Sequence, residues 1–114
     1  DDIAKRDRVL DIEMHRAAYK LTQRRASEEQ KTSATPTFAT STFKHLSSQL
    51  ESRSLDETVS LMGSQGIGWE GAQFKSEEVT ATRKMLLSKG FLIAGGSSEG
   101  QLNVIAKRVL GLPD

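Results

Sequence analysis

Gly95, Gly96, Ser97 and Ser98 stand directly ahead of an amphipathic run that ends at Gly111. Glycines let a backbone approach a ligand closely. The first turn of a helix offers unsatisfied N–H groups and a partial positive charge, which suits a phosphate or another anion. Nothing in this cradle looks able to do chemistry by itself. The plain alternative is a capped helix after a turn. A second glycine-rich stretch, "MGSQGIGW", places Gly63, Gly66 and Gly68 ahead of another helical run. No strand precedes these glycines, so they are not a dinucleotide-binding fingerprint. Its plain alternative is an interhelical loop pinned by Ile67 and Trp69. Two such loops in one small domain point to a shared ligand.

Other chemistry is scarce. The 114 residues contain no cysteine, which excludes disulfides, thiolate catalysis and Cys-type zinc sites. His15 and His45 lie far apart and in no metal-ligand spacing. His15 belongs to a polar helix face and His45 lies one residue from an apolar stripe. Both read as surface or satisfied residues rather than acid–base groups. The formal net charge is +1 and aromatic content is 5%. Neither a basic stripe nor a stacking platform for nucleic acid is present. The cluster Arg24–Arg25 and the early Lys5, Arg6 and Arg8 are interleaved with acids, as on a solvated face. No apolar run approaches the roughly 18 residues of a membrane span, and no secretory segment is evident. The expectation is a soluble intracellular chain. It opens "DDIAKRD" without an initiator methionine, so a longer protein is expected.

These loops need elements to position them. The first predicted helix runs from Ile3 to about Glu29, with Leu10, Met14, Ala17, Ala18 and Leu21 at helical spacing. "KTSATPT", 31–37, is the loop, with Pro36 suited to a first helical turn. A second helix is predicted from Thr37 to Met62. Its stripe is Phe43, Leu46, Leu50, Arg53, Glu57 and Leu61, with Phe38, Leu55, Val59 and Met62 beside it. Gly63 is its C-terminal stop. A third helix begins near Ser76, with Glu77 and Glu78 in its first turn, and closes at Gly90. The last opens at Ser97 or Ser98, where Ser98 and Gln101 form a capping box. Leu102, Ile105 and Val109 are its buried stripe, and Gly111 with Pro113 stops it. No strand period competes. The predicted fold class is all-α, a four-helix up-and-down bundle.

The second half resembles a known family. "LLSKGFLIAGGSSEGQLNVIAKRVLGLPD", Leu86 to Asp114, is similar to the C-terminal end of acyl-CoA dehydrogenases. Ile93, Gly95, Gly96, Ser97, Glu99, Gln101, Ile105, Ala106, Arg108, Leu110, Gly111, Leu112 and Pro113 match that segment in order. "VSLMGSQGIGWEG", Val59 to Gly71, is similar to the family's Q-x-x-G-G-x-G-Y loop. The first helix resembles, more loosely, the helix that opens the family's C-terminal domain. The resemblance implies that residues 1–114 form a helical domain, part of a longer chain with an N-terminal helical domain and a middle β-domain.

What the resemblance implies functionally is α,β-dehydrogenation of an acyl-CoA thioester. A carboxylate removes the α-proton and FAD takes the β-hydride. The helical domain contributes to FAD binding, partly across a subunit interface, and to a homo- or hetero-oligomer of dimer-of-dimers type. By position, Ser97 corresponds to the hydroxyl residue that contacts the flavin, with Gly96 beside it. Glu99 stands near the cofactor. Gly63 and Ser64 stand at the glycine pair against the FAD diphosphate. The cofactor-binding set is therefore Ser60, Gly63, Ser64, Gly96, Ser97 and Glu99, with no metal.

The departures from the family pattern are specific. Ser60 replaces the usual flavin-binding Gln, Ser64 the second Gly, Ala94 the common Tyr and Leu102 the common Arg. Gly95 occupies the place of the catalytic Glu in one branch, so no catalytic residue is assigned. In the isovaleryl-type branch the base lies on an earlier helix. In heteromeric members one subunit keeps the site and the other is degenerate. The expectation is an inactive domain by itself, either part of a working enzyme or a non-catalytic assembly subunit. The compartment implied is the cytoplasm, or the mitochondrial matrix in a eukaryote.

Overall fold

The structure, a computed structural model, describes residues 2–32 and 40–113. Four α-helices follow one another: α1 (Ile3–Thr32), α2 (Thr40–Leu61), α3 (Ser76–Phe91) and α4 (Ser98–Val104). A 3-10 turn covers Gly63–Ile67, and a π turn continues α4 over Ile105–Val109. The described residues form no strand. The all-helical prediction holds. The loop around Pro36, Phe38 and the predicted start of the second helix at Thr37 lie outside the described residues.

The up-and-down order holds too. Arg8 faces Glu57 and Asp11 faces Arg53 across α1 and α2, so the two helices run antiparallel. Lys44 meets Phe91 and Asp56 meets Lys89 across α2 and α3, which are antiparallel as well. α2 is the central helix. α1 packs only on α2, and α4 folds back onto the first half of α2. α1 and α3 do not touch among the described residues, so the bundle is open on one side.

This opening decides which residues are buried. Leu10, Met14 and Leu21, the expected core stripe of α1, point outward and are more than half exposed. Ile12 and Ala26 are buried instead. A 3.6-residue period marks an apolar face but does not say what covers it. On α2, the stripe residues Leu46 and Leu61 are exposed. Its two polar interruptions are explained: Glu57 accepts from Arg8 at 2.9 Å and Asp11 accepts from Arg53 at 2.5 Å. Those pairs, with the Tyr19–Phe43 edge contact at 5.7 Å, clasp α1 onto α2.

The α2–α3 seam is built from small hydroxyl residues. Ser48, Ser52, Thr82 and Ser88 are its buried residues. Short side chains let two backbones come close, and each buried hydroxyl must find a partner. Ser88 donates to the Met85 carbonyl at 2.6 Å. Ser52 accepts from Lys89, which also holds Asp56. Thr82 donates to the Gly66 carbonyl at 3.0 Å and shares that proton with Glu78 O at 3.2 Å. Thr82→Val keeps the shape and removes the donor. We expect a loss of about 1–2 kcal/mol in denaturant unfolding, because the buried carbonyl of Gly66 is left unpaired.

Candidate functional site

The second glycine loop closes the C-terminal end of α2. Gly63 sits at φ +60°, the left-handed stop expected of it. Nothing lies within 4 Å of the place a Cβ would take, so this face is open. Ser60, Gly63 and Ser64 are all exposed. The hydroxyls of Ser60 and Ser64 hold no hydrogen bond among the described residues. The other two glycines do something else. Gly66 is buried against the Val59 carbonyl and Gly68 against the Phe74 ring. The loop is thus pinned by these glycines and by Thr82, not by Ile67 and Trp69 as in the plain alternative. Ile67 is 84% exposed. Trp69 is half exposed, with the Arg83 guanidinium 4.9 Å from its ring centroid.

The cradle ahead of α4 is a tied turn. Gly95 and Gly96 adopt φ +73° and +106°, which glycine alone takes without strain. Ser97 is the N-cap: its Oγ accepts from the Gly100 N–H at 3.2 Å. This corrects the predicted capping box by one residue. Gln101 does not reach back to the cap; its amide donates to the Gly95 carbonyl at 3.1 Å. That side chain also fills the space behind Gly96, where a Cβ would stand 2.5 Å from Nε2. The φ of +106° is what requires glycine at 96, because the far end of the Gln101 side chain can move aside. Ser98 accepts from Gln49 of α2 at 2.9 Å, and Lys44 of α2 donates to the Phe91 carbonyl at 2.8 Å.

Glu99 lies in the first turn of α4 and is exposed. Its own backbone N–H, then the Ser97 hydroxyl, and to a smaller extent the His45 charge hold its carboxylate below the usual carboxylate range. Because the folded state favours the ionised form, this contribution is present at neutral pH and is lost as pH falls through the lowered value. In Glu99→Gln the thermal midpoint therefore falls less steeply than in the wild type between about pH 6 and pH 3. Equal slopes in a melting series would refute the assignment.

The two histidines do not meet. His15 Nδ1 lies 2.8 Å from the Asp11 carbonyl on the outer surface of α1. His45 is half-buried beside the cradle, and its Nδ1 is enclosed without a hydrogen-bond partner. The described residues form no acidic or histidine cluster able to hold a metal ion. No described helix is long and apolar enough to cross a membrane. A cavity of about 220 Å³ opens between α1 and α2, walled by Ala18, Tyr19, Leu46 and Leu50, away from both loops.

The structure keeps the two glycine loops apart. Both attach to α2, one near Lys44 and the other after Leu61. At 1.5 Å per helical residue they lie roughly 25 Å apart along that helix. Of the expected site residues, it groups Ser60, Gly63 and Ser64 at one end and Gly96, Ser97 and Glu99 at the other. Sequence reading missed Lys44 and Gln49, whose contacts with the cradle span 47 and 49 residues of chain. No local spacing signals such partners.

Fold and loops together define a helical domain that presents glycine–serine segments from the two ends of one central helix. The chain belongs to the acyl-CoA dehydrogenase family: the family model of its C-terminal domain matches residues 1–110. Comparison with curated proteins and with solved structures gave no match.

Proposed function

We propose that this chain is the flavin-side helical domain of an enzyme that dehydrogenates an acyl-CoA thioester between its α and β carbons. One observation carries the reading. Ser60, Gly63 and Ser64 form an open patch with unpartnered hydroxyls, at the positions that resemble the family's FAD-diphosphate loop. Open backbone and free hydroxyl donors suit phosphate oxygens. The Ser97–Glu99 turn is the second wall. FAD, when bound, supplies the hydride acceptor of the reaction.

A separation of roughly 25 Å bears on assembly. One compact group of a ligand does not touch both loops of one copy. The reading that fits is a cofactor lying between copies, with the diphosphate loop of one and the Ser97 turn of the other. This supports a homo- or hetero-oligomer, and the exposed apolar face of α1 (Ile3, Leu10, Met14, Leu21) favours one too.

The domain's own residues orient and enclose; they do not take the α-proton. Gly95 has no side chain. Glu99 is held ionised below the usual range, which makes it a weak proton acceptor. The base comes from elsewhere in a full-length protein. Accordingly, the purified chain given FAD, butyryl-CoA and an artificial electron acceptor shows no turnover; measurable oxidation would refute this part. The second reading is a non-catalytic assembly subunit, favoured by the filled space behind Gly96. A flavin absorbance spectrum separates the two. Bound flavin in the homomer excludes the empty subunit.

A further inference from the structure

We propose that Lys44 is the positioning residue of the Gly95–Gly96 turn, and that its side-chain stem crowds the space a side chain at position 95 would need. Two contacts carry this. Lys44 Nζ donates to the carbonyl of Phe91, the last residue of α3, at 2.8 Å. The last carbonyls of a helix lack intrahelical partners. The next amides along, those of Ile93 and Ala94, both go to the Gly90 carbonyl. The Phe91 carbonyl therefore depends on Lys44, and a cation is also favoured at a helix C-terminus. The second contact is steric: a Cβ on Gly95 would stand 3.3 Å from Lys44 Cε.

The consequences join up. Where α3 stops sets where the chain turns, and the turn at φ +73° and +106° sets where Ser97 caps α4. Lys44 reaches this point from α2, so it locks the turn to the central helix, a little more than one helical turn before the Gln49–Ser98 bond. The position that carries a carboxylate in one branch of the family is here covered by a fixed cation from another helix. The ligand half of this inference rests on the flavin reading; the positioning half does not.

The test compares Lys44→Met, Lys44→Arg and wild type in the full 114-residue chain by amide NMR and hydrogen exchange. In Lys44→Met the signals of Ala94, Gly95, Gly96 and Gly100 shift, and the protection of the hydrogen-bonded amides of Ala94 and Gly100 falls about tenfold, the size expected for one charge-assisted hydrogen bond. Gly63 and Ser64, at the other end of α2, stay in place. Lys44→Arg, which still donates, restores the wild-type pattern. An unmoved turn in Lys44→Met, an equal disturbance at both ends of α2, or an arginine variant as disturbed as the methionine one would each overturn the proposal. FAD titration by flavin fluorescence forms a separate arm. Lys44→Met binds FAD about tenfold more weakly than wild type, and Lys44→Arg recovers it. Wild-type protein that binds no FAD while the turn responds as stated refutes the flavin reading and leaves the positioning role standing.

Discussion

Gly66→Ala destabilises the domain by about 2–3 kcal/mol, the upper range for an overpacked buried site. The new methyl carbon would stand 2.5 Å from the Val59 carbonyl oxygen and 2.8 Å from Val59 Cγ1. The first of these is backbone in the last turns of α2 and cannot rotate away. Relief requires the 3-10 turn to move off α2. That movement also breaks the Thr82–Gly66 hydrogen bond, which anchors α3. For a domain of this size the melting midpoint falls by roughly 10–20 °C. Gly63→Ala is the control. Its Cβ meets nothing within 4 Å, and only the left-handed φ of +60° opposes it, about 1–2 kcal/mol. A calorimetric scan of both variants decides: Gly66→Ala must be the worse of the two.

Gly95→Glu does not create a working base. The backbone there lies at φ +73°, which costs a non-glycine residue about 1–2 kcal/mol. A carboxylate built at that point also meets Lys44, whose Cε lies within 3.3 Å of the new Cβ. A neighbouring ammonium lowers a carboxylate's proton affinity. The variant should therefore melt about 5–10 °C lower and leave the α-proton of butyryl-CoA unexchanged in deuterated water. Exchange above the wild-type background would contradict the assignment. Position 95 is then not a vacancy awaiting its acid; it is a turn residue whose side-chain space belongs to α2.

Much of this architecture was readable along the chain, and the exceptions share one physical cause. The start of α3 at Ser76, the left-handed stop at Gly63 and the end near Gly111 follow from local rules of caps and backbone angles. Local rules succeed because their partners lie within a turn or two. The apolar stripe of α1 was misjudged because periodicity identifies a face without identifying its neighbour. Leu10 and Met14 are exposed, while Ile12 faces α2. The true α2–α3 seam escaped because serines and threonines do not register as core. Ser48, Ser52, Thr82 and Ser88 are buried only because short side chains and paired hydroxyls permit close approach.

The site divides in the same way. Glycine and serine content marked both loops. It could not tell which glycines are open and which are demanded by packing. Gly63 is open, Gly66 and Gly68 are packed against Val59 and Phe74, and Gly96 is backed by Gln101. Within a single copy the two loops expected to share a ligand stand apart. Each loop is near α2 in sequence or contact, but at opposite ends of it. Only the continuous helical backbone from Lys44 to Leu61 sets that distance.

The central claim is that the two loops serve a flavin shared between copies. Complementation tests it most directly. Gly63→Val disables one loop and Ser97→Ala with Gly96→Val disables the other. Each variant protein alone should lose bound FAD. Mixed, unfolded and refolded together, they should regain roughly a quarter of wild-type flavin occupancy, as expected for random exchange in a two-fold pair with one intact site. A mixture as empty as its parents, or a wild-type chain without flavin, would contradict the account.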